Sequence, residues 1–292
     1  MYHKSAGYKT FSAFNYVLLG LICITCVLPL VHILAVSFSA SAPANSNLVG
    51  LWPIGFNLDA YTKTLNNDNF HNALLMGVQR TVLGTAVGMA LMLLAAYALS
   101  KDGRGFNSRT YYVWFFLFTM LFSGGIVPSY MLIRNLDLMN SIWALVLPLA
   151  INVFNMVLLM NFFRAVPKEL EEASLIDGAG HFRTLWSIYL PISMPAIATI
   201  SLFTMVMHWN SWFDGLLYIS DYRKYPLSTF LQTIIVQQDF NKISVDVSEL
   251  QNISQRTVKA AQIFIGTLPI LLVYPFLQRY FVKGIILGAV KE

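Results

Sequence analysis

Charge is what this 292-residue sequence has least of: 11% of its residues are Asp, Glu, Lys or Arg, against about 25% in soluble domains. So few ionised side chains cannot cover a water-facing surface, and this excludes a soluble arrangement. An apolar content of 57% and a mean hydropathy of +0.60 agree, and they exclude intrinsic disorder as well. Cysteine is nearly absent, Cys23 and Cys26 being the only two, so a disulfide scaffold is ruled out. Their spacing is metal-like, but both fall in an apolar run with no third or fourth ligand close in sequence. Packing, not metal binding, is therefore expected of them. The five His are scattered, with none at a recognisable spacing from a carboxylate. No stretch reads Gly, four residues, Gly-Lys-Ser/Thr, so the usual loop for nucleotide phosphates is missing. The net charge of +5 would suit an acidic partner, but in a membrane protein the placement of charge matters more than its sum, and no nucleic acid is needed to explain it.

What is present is apolar length. Runs of about 20 apolar residues, enough to cross a bilayer as helix, occur at about 16–36, 81–99, 110–133, 141–163, 188–209 and 261–281. Open strands would leave backbone groups unpaired in lipid, so the expected fold is all-α, one membrane domain of six transmembrane helices over residues 1–292. Lys4, Lys9 and Ala40-Ser41-Ala42 imitate a secretory signal around the first run, but its apolar part exceeds the ~7–15 residues of a signal, so an uncleaved span is expected. Pro191 and Pro195 predict a bend near the start of the fifth. Short loops decide orientation. Lys4, Lys9, Lys101, Arg104, Arg109, Arg164, Lys168, Arg183, Arg279, Lys283 and Lys291 fall on one side, which predicts both termini in the cytoplasm.

The loops differ in character. The outer loops, 37–72 and 210–260, carry turn signals such as Asn66-Asn67-Asp68-Asn69 and an aromatic cluster at Trp209, Trp212, Phe213 and Tyr218, which reads first as interfacial anchoring. The cytoplasmic loop 164–187 is more than a link. Pro167 and the acids Glu169, Glu171 and Glu172 suit a helix start. Leu170, Ala173, Ser174 and Asp177 then share a narrow face with a small centre, and Gly178 is placed to end the helix in a left-handed cap. A second short helix would carry Phe182, Leu185, Trp186 and Tyr189 on one face. Physics alone leaves two readings open: a hairpin lying on lipid, or a docking element for another protein.

Glu172-Ala173-Ser174, three residues, Gly178, nine residues, Ile188, one residue and Leu190-Pro191 resembles the EAA loop of the membrane subunits of ATP-binding cassette importers. Ser174 stands where a second Ala is usual, while Asp177 and Ala179 fit the longer form seen in carbohydrate importers. Phe118 to Gly125, His208-Trp209-Asn210-Ser211-Trp212-Phe213 and the ending Gly288-Ala289-Val290-Lys291 extend the likeness over nearly the whole chain. They resemble the smaller partner of the maltose-type pair, in the branch linked to complex or uronate-containing oligosaccharides. The resemblance implies a non-catalytic permease subunit in the bacterial inner membrane. Its partners would be a second permease, two ATPase subunits that bind ATP and Mg, and an extracytoplasmic solute-binding protein that delivers an oligosaccharide. It further implies that Glu172, Ala173, Ser174, Asp177, Gly178 and Ala179 meet the ATPase, and that a segment near 237–255 meets the binding protein.

Polar groups inside spans are costly and so are candidates for a pathway. Asn152 and Asn155 in the fourth span share a helical face, and His208 and Asn210 end the fifth; interhelical hydrogen bonding is the plainer reading. Gly84 and Gly88 form a small-residue pair fit for close helix contact. Two alternatives are an ABC permease for another solute and a six-span secondary transporter. The second would need membrane-buried carboxylates for ion coupling, and the spans as drawn hold none. A membrane enzyme would have only Asp214, Asp221 and His208 to work with.

Overall fold

A computed structural model describes residues 6–101, 106–241 and 255–288, and its described backbone is helical with no strand. Lipid offers no partner for a free amide, so each apolar run closes its hydrogen bonds within itself. Residues 242–254, most of the segment expected to meet a binding protein, and the chain beyond 288 lie outside the described residues. Three helices are long and apolar enough to cross a membrane, and three bent pairs qualify if each pair is taken as one span. Together they make up the six spans expected. The residues group into two compact units, one running up to His71 and including Thr233–Leu268, the other comprising Asn72–Gln232 and continuing from Pro269.

In the first unit, α1 (Ala6–Ser37) leads into the short helices α2 (Ser41–Asn45) and α3 (Asp59–Leu65). The most apolar stretch of α1 buries nothing within the chain. Cys23 and Cys26 lie there exposed, so the packing expected of them is not provided by this chain. The predicted outer loop 37–72 is folded onto the end of α1. Phe38 stacks on Phe56 and Tyr61 at 5.3 and 4.8 Å, and Ser39 Oγ donates to Ala35 O (2.7 Å) while accepting from Ile54 N (3.0 Å).

The second unit is organised by α4, a single helix Asp68–Ser100 whose residues 68–71 are grouped with the first unit. It begins at Asp68, ahead of the predicted Thr81. Asn67 Oδ1 caps it by accepting from Asn69 N (3.0 Å) and Phe70 N (3.2 Å), so the Asn-rich turn signal is a helix start. The third span is not one rod: α5 (Arg109–Leu121) and α6 (Ile126–Asn135) meet at 115°. Gly125, at φ +87°, supplies the conformation that a side chain would resist. The fourth bends by 50° between Trp143–Leu149 (α7) and α8 (Val153–Arg164). The fifth bends by 86° between His181–Ile192 (α10) and α11 (Met194–Asn210), between the two prolines that predicted it. Pro195 has no N–H to return to residue 191, and the helix breaks at Ser193. The described part of the predicted loop 210–260 is largely helical, with α12 (Phe213–Tyr218), α13 (Leu227–Asn241) and the start of α14 (Gln255–Gly288).

Helices in lipid gain from close packing more than from burial as such. Met92 and Ala96 of α4 meet Met156, Leu159 and Phe163 of α8 in a buried core shared with Leu185, Tyr189 and Ile200. The glycine pair acts as expected. A Cβ on Gly84 would sit 2.5 Å from the His208 ring, and one on Gly88 2.8 Å from Ala150 O, so only glycine lets these neighbours approach α4.

Candidate functional site

The loop after α8 forms α9 (Lys168–Ile176), with Pro167 just before it and Glu169 and Glu171 in its first turn. Gly178 ends it at φ +78°. Gly178 N donates to Leu175 O (3.1 Å) and Ala179 N to Ser174 O (2.9 Å), the paired bonds of a Schellman cap, as the sequence predicted.

The faces of α9 differ from the prediction in one respect. Glu172, Ala173, Asp177 and Gly178 are exposed, as is Ile176 at 86%, and Ala179 is half-buried. Ser174 turns inward, donating to Glu171 O (2.8 Å) and bonding Thr184 Oγ1 (3.0 Å), so it fastens α9 to α10 and is not the centre of an open face. The second helix is also redistributed. Its middle, Leu185–Tyr189, is π-helical, a wider turn that aligns Leu185 and Tyr189 inward. Phe182 and Trp186 are left 78% and 75% exposed.

Beneath α9 lies a network that motif spacing did not reveal. Lys101, the residue after α4, donates from Nζ to Glu171 Oε1 (2.5 Å) and to Tyr189 OH (3.2 Å), and Tyr189 OH donates to Glu171 Oε2 (2.6 Å). The ammonium also sits 3.9 Å from the Tyr97 ring centre and 4.3 Å from that of Tyr189. Burial pushes the Glu171 carboxyl up, but hydrogen bonds from Lys101 and Tyr189 outweigh it and hold the group below its ordinary value. Burial lowers the Lys101 amine although Glu171 pulls the other way. One carboxylate of the loop thus joins the ends of two spans. The available signal was Lys101, a lone cation closing an apolar run.

The predicted pathway residues are dispersed. Asn152 precedes α8 and caps it, its Oδ1 accepting from Asn155 N (3.0 Å), so the two asparagines do not present one helical face. Its Nδ2 reaches Met207 Sδ at 3.8 Å. Asn155 is buried, and His208 is fully buried against Gly84. Only Asn210, at the end of α11, is exposed. Close by is a buried ion pair that was not foreseen, Arg80 with Asp214. Arg80 falls just ahead of the predicted span 81–99. Because α4 begins early, Arg80 lies within the helix and is 0% exposed. Of the aromatic cluster, Trp212 and Phe213 are exposed, whereas Tyr218 is packed among Ile133, Ala144 and Leu145.

A bent-span helical chain with an exposed, glycine-capped helix between its fourth and fifth spans corresponds to a known family. Residues 106–287 match the model described as the binding-protein-dependent transport system inner membrane component. The chain belongs to that family. It is therefore a multi-pass inner-membrane permease subunit of a binding-protein-dependent ABC importer and a non-catalytic member of that complex. It is 41% identical over 286 residues to the polygalacturonan/rhamnogalacturonan transport system permease protein YtcP of Bacillus subtilis, covering 97% of this chain and 99% of that protein. Protein LplC of the same organism is 38% identical over 291 residues, covering 100% and 98%. The fold is similar to a crystal structure of a bacterial ABC transporter involved in the import of the acidic polysaccharide alginate, with a TM-score of 0.85, 29% identity, and 96% and 100% coverage.

Proposed function

We propose that this permease, as one domain with both termini in the cytoplasm, forms with a second permease subunit the pathway for uronate-containing oligosaccharides. An extracytoplasmic binding protein delivers the sugar, and two ATPase subunits, which hold ATP and Mg, drive the cycle from below. The observation that carries this reading is the exposed face of α9, Glu172, Ala173, Ile176 and Asp177, ended by Gly178 and anchored from behind by Glu171. A short rigid helix with a small-residue centre can enter a cleft, and any rotation imposed on it passes through Glu171 to Lys101 at the end of α4 and to Tyr189 on α10. Ala179 and Ser174 belong to the cap and the seam with α10, so their part in coupling is positional. Likeness to a pectic-polymer permease and to an alginate importer supports an acidic sugar.

Gly178→Pro tests the coupling role. Proline cannot adopt φ +78° and has no N–H for Leu175 O, so the cap is lost while the spans are untouched. In proteoliposomes with the complete complex, ATP hydrolysis is expected to continue while uptake falls by more than about tenfold, a loss of about 1.4 kcal/mol or more in coupling. Normal uptake by this variant would sink the assignment of α9.

A further inference from the structure

Away from α9 and from the buried ion pair, an open cavity of about 720 Å³ is lined by Gln79 and Leu83 of α4, by Asn140 and Ile142 before α7, and by Lys224. Lys224 ends a tight turn, Tyr222–Lys224, capped by Asp221, whose Oδ1 accepts from Arg223 N at 3.1 Å. Among the described residues the Lys224 ammonium makes no ion pair. Asn140 is fixed in a left-handed conformation at φ +60°, with its N–H on Tyr218 O (3.0 Å) and its Oδ1 accepting from Ser220 N and Asp221 N. That commits the oxygen of the amide, while among the described residues its Nδ2 makes no hydrogen bond. Gln79 is exposed on the same helix as the apolar Leu83.

We propose that Gln79, Asn140 and Lys224 form a capture site for a uronate residue at the outer mouth of the pathway. The inference rests on the acidic-sugar reading above and deepens it. The ammonium pairs with the sugar carboxylate, the two amides bind ring hydroxyls, and Leu83 and Ile142 pack against the apolar face of the pyranose. A neutral sugar would find only the amides and the apolar wall, so Lys224 is the residue that discriminates by charge.

The test uses the complete complex in proteoliposomes with saturating binding protein. Two labelled probes are compared, trigalacturonate and its methyl ester, which has the same length without the charge. Lys224→Gln is expected to slow trigalacturonate uptake by about tenfold, the scale of one hydrogen bond to a charged group, and to leave the ester unchanged. Lys224→Arg, which keeps the charge, is expected to retain at least about half the wild-type rate. Wild-type uptake of the acid by Lys224→Gln would overturn the capture site and leave the acidic-sugar reading standing. Equal losses for acid and ester would assign Lys224 to docking of the binding protein and overturn it too. Failure of the wild-type complex to import trigalacturonate would instead remove the acidic-sugar reading, and the capture site with it.

Discussion

Replacing Glu171 with Ala is expected to abolish most uptake while ATP hydrolysis and attachment of the ATPase persist. The carboxylate faces inward, accepting from Lys101 Nζ through one oxygen and from Tyr189 OH through the other. Its loss leaves a largely buried ammonium without its counter-charge and a phenol without its acceptor, a penalty of about 1–3 kcal/mol for the unsatisfied groups. The exposed residues of α9 are unchanged, so binding of the ATPase should stay within about twofold, whereas uptake per ATP hydrolysed should fall at least about tenfold. Lys101→Met should behave alike, and the double variant should be little worse than either, because both remove one interaction. Glu171→Gln should be intermediate, keeping the acceptor for Tyr189 but not the charge. Loss of ATPase binding by Glu171→Ala, as measured by co-purification, would show that Glu171 docks the partner and transmits nothing.

The same network fixes a pH dependence. The folded-state pKa of Glu171 is depressed, so its contribution is fully present above the unfolded carboxylate value of about 4.3 and is lost as pH falls through the lower folded value. Glu171 is therefore ionised throughout pH 6–8, and its own protonation is expected to leave the uptake-to-hydrolysis ratio unchanged there.

The legible part of this protein was set by local, one-dimensional rules. Apolar length marked where the spans would lie, the proline pair marked the break at Ser193, and Gly178 marked the end of α9, because each depends on a few neighbouring residues. The other bends were harder. The 115° turn at Gly125 sits inside a run apolar enough to be one helix, and only the geometry shows that Ser123-Gly124-Gly125 interrupts it. Side-chain roles that join distant segments were not legible either. Lys101 and Glu171 are 70 residues apart, and Arg80 and Asp214 are 134 apart, so no periodicity within a helix could pair them. Asn152 shows what the backbone adds to such a reading. An asparagine in an apolar run marks a costly polar group, and the structure shows that the chain bends there and uses it as a cap.

Arg80→Ala is expected to be the most destabilising single change around the turn that follows α11. The guanidinium is 0% exposed, donating to Ser211 O at 2.8 Å and pairing with Asp214. Asp214 in turn accepts from Ser211 Oγ (2.9 Å) and Gly215 N (3.0 Å), while Ser228 Oγ and Thr229 Oγ1 donate to Ser211 O and Trp212 O. The turn after α11 is thus fastened to α4 on one side and to α13 on the other, and it leads into the segment that carries Lys224. Truncating one member of a buried pair leaves the other charge without compensation, at a cost of about 3–5 kcal/mol. The purified complex should therefore lose thermal stability, with Arg80→Ala melting well below wild type. Removing both charges with apolar replacements, Arg80→Met with Asp214→Leu, should recover much of the loss, since neither leaves an unpaired ion. That pair separates stability from function. If the double variant melts near wild type yet still fails to transport, the turn matters to the pathway itself; if Arg80→Ala alone melts near wild type, water or lipid headgroups already serve Asp214 and the clamp is not structural.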